Sequence, residues 1–251
     1  MTMTPFKQAL AASLLLAALQ APALAASEHP SIKRPFNLPP SADLQYALKA
    51  RNHGLPLSGE ASVAWRAGGG KYSILSEARS GLFGKVLENR SEGAVDEYGL
   101  APDSYYEKRI RKGASTTQFK RDSKTIEFAD AQESYPLKGG EQDRTSAPWQ
   151  LAAIARQAPD KFKPGSEWAF FVAGRRDAEA WTFKVVGSET LKTAMGDIEA
   201  LHFSKAPPKR DKGQQVDLWL APSLDWYPVR ILFSEEDGDS FEQLLTKIDR
   251  K

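Results

Sequence analysis

The chain has three histidines, His29, His53 and His202, and no cysteine. Imidazole is the usual general base near neutral pH and, with thiolate, the usual zinc ligand. No two of these histidines stand at H-x-x-x-H spacing and none adjoins a nucleophile motif, so neither a zinc site nor a catalytic triad is expected. The missing thiols also exclude disulfides and a lipid-modified cysteine. Carboxylates are plentiful. Asp143, Asp177 and Asp217 are the acids that a hydrolase of envelope polymers would use. Glu235, Glu236, Asp237 and Asp239 crowd one turn without the ligand order of a calcium loop, and a solvated turn is the simpler reading. Gly68-Gly69-Gly70 leads into a strand pattern rather than a helix, so it cannot cradle a phosphate at a helix N-terminus.

Basic residues fall in two groups. Lys108, Arg109, Arg111 and Lys112 are followed closely by Lys120, Arg121 and Lys124; Lys205, Lys209, Arg210 and Lys212 surround Pro207-Pro208. Consecutive strand residues point to opposite faces, so half of each group shares a surface. Such a group either marks a charged edge strand that discourages aggregation or contacts anionic lipid head groups or acidic glycans. The chain has 6 tryptophans. Leu151, Ile154, Trp168, Trp181 and Trp219 are expected to line an interior, with Arg175, Arg176 and Arg230 at a polar mouth. The same aromatic content suits a filled core or an apolar ligand cavity.

The elements that would position these residues are mostly strands. Leu44, Tyr46 and Leu48 alternate with polar residues, as do Ala61, Val63 and Trp65, and a glycine turn leads into Lys71 to Ser80. Further strands are expected at 105–112, 116–121, 125–128, 167–173, 198–204, 216–220, 228–233 and 241–248, with another around Trp181, Phe183 and Val185. Asp237-Gly238 marks a hairpin turn. Only Ser146 to Ala158 has helical period: Leu151, Ile154, Ala155 and Ala158 form one stripe, Ser146 can cap it and Pro159 stops it. The expected fold is mainly β, a curved antiparallel sheet or incomplete β-barrel wrapping one short amphipathic helix. Asp217 and Arg230 are expected to pair across one hairpin.

The N-terminus gives an address. Met1 to Gln8 is short and polar with one charge, Ala9 to Leu19 is apolar, and Ala23-Leu24-Ala25 offers small residues for cleavage. This is the layout of an export signal. Residues 1–25 are therefore expected to be removed, 26–41 to be a proline-rich leader, and 42–251 to be one β domain in the periplasm, not lipidated. Without Lys7, 33 basic residues face 32 acidic ones, a balance that argues against nucleic acid as a partner. No later apolar run is long enough to cross a bilayer.

Several motifs occur together: Gln142-Asp143-Arg144-Thr145-Ser146 before the helix, Gly174-Arg175-Arg176 before Trp181-Thr182-Phe183, and Asp217-Leu218-Trp219-Leu220-Ala221-Pro222 followed by Tyr227-Pro228-Val229-Arg230-Ile231. With Gly81-Leu82-Phe83-Gly84 and Tyr46 to Trp65 in the first half, the chain resembles the exported bacterial family named domain of unknown function 3108 over 42–248. The resemblance implies an all-β plan with strand groups wrapping a short helix, similar in outline to periplasmic lipoprotein carriers. It implies no activity and no catalytic residue. The expected role is non-enzymatic binding of an apolar or amphiphilic envelope component, a lipid for example, with no cofactor and no metal. A fully packed module that engages an envelope protein is the alternative, and a hydrolase ranks third.

Overall fold

The computed structural model describes residues 29–81, 83–110, 112–205 and 214–251. Residues 1–28, which hold the expected export signal, lie outside the described residues. Among the described residues fifteen strands make one sheet. The first meander is β1 (Ala42–Asn52), β2 (Leu55–Gly68), β3 (Lys71–Ser80), β4 (Gly84–Asp96), β5 (Gly99–Arg109), β6 (Ser115–Lys120), β7 (Thr125–Phe128) and β8 (Ser134–Pro136). Next come β9 (Gln142–Asp143) and the helix α1 (Ala147–Gln157). The second meander is β10 (Glu167–Ala173), β11 (Ala178–Thr193), β12 (Gly196–Lys205), β13 (Gln215–Leu220), β14 (Pro228–Ser234) and β15 (Ser240–Arg250). All pairings are antiparallel except that of β9 with β10. The first and last strands join the two meanders, with Leu44 opposite Ile248 and Leu48 opposite Gln243.

The order β8-β7-β6-β5-β4-β3-β2-β1-β15-β14-β13-β12-β11-β10-β9 leaves β8 and β9 at opposite ends, unpaired with each other. Yet they are neighbours in sequence, and the link from Pro136 to Gln142 spans about 20 Å at full extension. The sheet must therefore curl until its ends nearly meet. Side chains rather than a ladder close this seam. Tyr105, Phe119, Ile126 and Phe128 pack with Phe171, Ala173 and Ala178. The Thr117 hydroxyl donates to Gly174 O at 2.8 Å. Arg175 donates from Nε to Asp130 Oδ2 at 2.6 Å and from a terminal nitrogen to Gly113 O at 2.9 Å.

The helix fills the curl. Every residue from Ala147 to Ala155 is buried, so it is enclosed rather than laid on a surface. Ala147, Ala152, Ala153 and Ala155 permit that close approach. Ser146 occupies the N-cap position but makes no side-chain cap bond. The carboxylate of Asp143 instead fixes the turn leading into the helix, accepting the Thr145 and Ser146 amides at 2.8 Å each. Pro148 costs nothing in the first turn, where its missing N–H has no partner to lose.

Residues 29–41 of the proline-rich segment are in neither helix nor strand and pack along the domain. His29 stacks on Phe171 with 3.8 Å between ring centroids and meets Glu141 Oε1 at 2.8 Å. Asn37 N donates to Ala153 O at 2.9 Å. The Trp65 indole donates to Pro39 O at 3.1 Å and the Tyr227 hydroxyl to Pro40 O at 2.7 Å. Prolines suit a strap of this kind, offering acceptors to core aromatics while having no N–H to satisfy.

Two expectations are corrected by the register, and one strand is added. Asp217 faces Leu232 and Arg230 faces Trp219, so Asp217 and Arg230 do not pair across the hairpin. Asp217 instead meets His202 Nε2 at 2.8 Å, and Arg230 donates to Glu242 at 2.6 Å. Strand β5 is paired on both sides, so Lys108 and Arg109 do not sit on an edge strand; they run past the end of the β6 ladder, which stops at Glu107 and Ser115. Finally, β4 is a 13-residue strand with no counterpart in the sequence reading.

Candidate functional site

Between the helix N-terminus and the strands lies an apolar cleft of about 480 Å³. The register builds its walls. On β2, β3, β4 and β5 the inward rows put Val63 beside Ser76, Ser76 beside Asn89, and Asn89 beside Glu107. On β14 and β15, Ile231 lies beside Gln243 and Phe233 beside Phe241. Pro148 and Trp149 from α1 form the floor, and Trp149 is fixed by stacking on Trp65 at 4.6 Å. Toward the open end the lining passes through Val86 and Leu87 to Arg109, Ile110 and Lys112, with Arg144 on the helix side. A larger depression of about 600 Å³ between Ser41, Arg66, Lys71, Glu92 and Asp103 is more open to solvent and lacks comparable apolar walls.

Polar groups inside the cleft are few and defined. Glu107, 2% exposed, accepts the Tyr105 hydroxyl at 2.8 Å and an Arg109 guanidinium nitrogen at 3.2 Å on Oε2. Its Oε1 is 2.9 Å from Arg109 Nε, but not in line for a hydrogen bond. Asn89 Oδ1 is buried without a partner among the described residues. Burial first, and then the Glu107 and Asp143 carboxylates, push the Tyr105 phenol well above its usual range, so it remains a donor at any physiological pH.

Behind the floor runs a second polar chain. Tyr72 Oη is 2.9 Å from Ser91 Oγ, which donates to Asp143 Oδ2 at 2.5 Å. Burial pushes the Asp143 carboxyl up to about 6, although Ser91 and the Ser146 and Thr145 amides oppose the rise. Asp143 is fully buried and does not line the cleft. Asp177 is exposed on the β10–β11 hairpin, 3.8 Å from Arg144. Burial would raise Asp217, but hydrogen bonds led by His202 hold it below the usual carboxylate range. The three acids that a hydrolase would need thus occupy three separate environments.

The residues singled out from sequence separate into three places. Leu151, Ile154 and Trp181 pack together in one buried cluster, with Trp168 half-buried against it. Trp219 lies on the other face of β13 from Leu218 and Leu220, with Leu191, Ile198 and Ala200. There it stacks on His202 at 4.3 Å and under the Arg230 guanidinium at 4.3 Å. Arg175 clamps the seam and Arg176 is exposed beside it. None of these eight lines the cleft. The cleft residues were missed because their signal is weak: Asn89, Glu107 and Arg109 are polar residues facing inward, which breaks the alternation that announces a strand. Trp149 was visible as one of five tryptophans in the second half, but nothing in its spacing set it apart.

An open β-barrel-like protein, filled by one helix and indented by an apolar cleft, is the class that fold and site define. The chain belongs to the family described as "Protein of unknown function (DUF3108)", whose model matches residues 44–246. Among solved structures it is similar to a beta-barrel-like protein of the domain of unknown function DUF1849 from Brucella abortus, with TM-score 0.53 and 10% identity over 86% of this chain and 99% of that one. More distant are a protein with a YmcC-like fold from Bacteroides fragilis, TM-score 0.33 and 10% identity over 87% and 100% of the two chains, and a DUF1329 family protein from Desulfovibrio piger, TM-score 0.30 and 6% identity over 85% and 86%. No curated protein matches the chain.

Proposed function

We propose that the protein is exported to the periplasm and there binds an apolar or amphiphilic component of the cell envelope without transforming it. The observation that carries this reading is the cleft. Its volume of about 480 Å³ lies within the range of small-molecule sites, roughly 300–1,000 Å³. The apolar part of a ligand would rest between Ile74, Ile231, Phe233 and Trp149, and its polar end would reach Arg109, Lys112 or Arg144 at the mouth. Export is inferred from the first twenty-five or so residues alone. A packed interaction module would have no need of an apolar void, so the cleft weighs against that alternative.

Native mass spectrometry of the protein, expressed with its own N-terminus and purified gently from the periplasm, tests the reading. A lipid-sized mass is expected, lost on denaturation. The substitution Ile231→Trp should fill the cleft and abolish that mass while leaving the fold intact by circular dichroism. An apo mass for the wild-type protein, or an unchanged adduct on the filled variant, would overturn the assignment.

A further inference from the structure

Six large apolar side chains stand exposed among the described residues, and three of them occupy neighbouring hairpin ends. Leu55 is 67% exposed at the β1–β2 turn, Phe83 is 50% exposed at the β3–β4 turn, and Ile110 is 41% exposed where β5 turns toward β6. The register puts these turns at one end of the sheet. Asn52 pairs with Leu55, Gly59 with Ser80, Ser80 with Gly84, and Leu87 with Arg109. This is also the end at which the cleft opens, because Ile110, Arg109 and Lys112 belong to its mouth. We propose that these three hairpin ends dock the protein on an anionic lipid bilayer, with the cleft mouth facing the membrane.

Shape favours a bilayer over a folded partner. Neighbouring strands are about 4.8 Å apart, so consecutive hairpin ends stand about 10 Å apart. Among the described residues no other large apolar side chain is exposed at these turns, so the three stand as separate tips rather than as the continuous apolar core of a protein interface. Each tip can enter the interfacial layer on its own, as apolar residues of peripheral membrane elements do.

Charge agrees. The segments Ala50 to Leu57, Ser80 to Lys85 and Lys108 to Ala114 contain no acid. Arg51, Lys108 and Lys112 on them are exposed. Basic residues beside apolar anchors are drawn to anionic head groups, and salt screens the attraction. The acidic turn with Glu235, Glu236, Asp237 and Asp239 stands at the same end, and Asp239 accepts the His53 amide of the β1–β2 turn at 2.6 Å, so contact should be one-sided, led by the β3–β6 side of the mouth. Chemically the arrangement provides a dry route: an amphiphile could pass between bilayer and cleft without crossing bulk water.

The proposal is independent of cargo and is tested on the full chain by flotation with two kinds of vesicle. One is phosphatidylethanolamine with phosphatidylglycerol; the other is phosphatidylcholine alone. The protein should float with the first and more weakly with the second. Replacing Lys108 and Lys112 by alanine should weaken this by about fivefold per lysine, the effect of one basic residue near an anionic surface, and should leave phosphatidylcholine binding unchanged. Combining Leu55→Ser, Phe83→Ser and Ile110→Ser should abolish flotation with both while the melting temperature holds. Because the chain has no cysteine, Phe83→Cys gives one labelling site, and an environment-sensitive dye there should shift to the blue on addition of vesicles. The cleft-filled Ile231→Trp protein should float like wild type, which separates failure of docking from failure of ligand binding. A wild-type protein that stays down with anionic vesicles, a triple-serine variant that floats undiminished, or a dye that does not shift would each overturn the proposal.

Discussion

Asp143 shows how a single buried carboxyl couples the helix to the sheet. It accepts two amides at the start of α1 and the Ser91 hydroxyl of β4, and its carboxyl is pushed up to about 6 by burial. The folded state therefore holds a proton there that the unfolded chain, with a pKa near 3.8, has already lost. Stability from this group is greatest below about pH 4 and falls as pH rises through about 6, by on the order of 3 kcal/mol. Asp143→Asn keeps the acceptor for both amides, and its NH₂ can donate to Ser91, which can then donate to Tyr72. The variant should be at least as stable as wild type at pH 8 and lack the slope between pH 4 and 6. Urea unfolding at several pH values reads this directly, and an unaltered slope would remove Asp143 as its source. The sequence shows that an acid precedes the helix, but not that Asp143 holds the turn into it while Ser146 makes no cap bond. That depends on β9 turning the chain back on itself, and β9 is two residues long.

At the scale of elements, legibility tracks what each strand faces. Strands β1 and β2 alternate cleanly because one row meets packed aromatics, β10 and β13 show as apolar runs because both rows are buried, and Glu167 to Ala173 and Thr125 to Phe128 agree with their expected bounds residue for residue. Strand β4 turns Leu87, Asn89, Ser91 and Gly93 inward, toward the cleft and the polar chain behind it, so it has no apolar period to find. The β4–β5 turn shows a second thing that periodicity cannot display. Gln150 of the helix accepts the Leu100 amide at 2.8 Å and donates to Tyr98 O at 2.8 Å, which pins that turn to the barrel filling. Gly99 between them has φ +111°, and a Cβ there would come within 2.3 Å of Gln150 Oε1. Gly99→Ala should cost about 2–3 kcal/mol, because it strains the backbone and displaces an amide from two hydrogen bonds. In a Gln150→Ala background the same substitution should cost measurably less, since only the backbone strain remains. Strict additivity in urea unfolding would show that the two residues do not meet.

The whole molecule is a curled sheet that never closes its ladder, and its behaviour should follow from where it is joined. From β5 through β1 and β15 to β11, strands are held on both sides by long antiparallel ladders. At the seam the contacts are an aromatic cluster, the Thr117 hydroxyl and the Arg175 clamp. The Asp130 carboxyl is held below its usual range chiefly by its hydrogen bond with Arg175, so the clamp is charged at neutral pH. Local opening begins where few backbone bonds resist it, which places the soft line of this fold between β6–β8 and the β10–β11 hairpin. Removing the guanidinium tests that placement. Arg175→Ala should speed amide exchange in β6, β7, β8 and residues 174–177, while β1, β2, β14 and β15 keep their protection. It should leave the cleft walls on β2, β3, β14 and β15 intact, because those strands are paired away from the seam, whereas Tyr105 and Lys112 border both cleft and seam. Faster exchange throughout would mean that the seam supports the entire barrel, whereas no change would mean that the aromatic cluster alone holds it shut. In either case the resemblance in sequence gave the wrapping of strands around a helix but not the seam, since a seam is a relation between β8 and β9, the two shortest and least patterned strands of the chain.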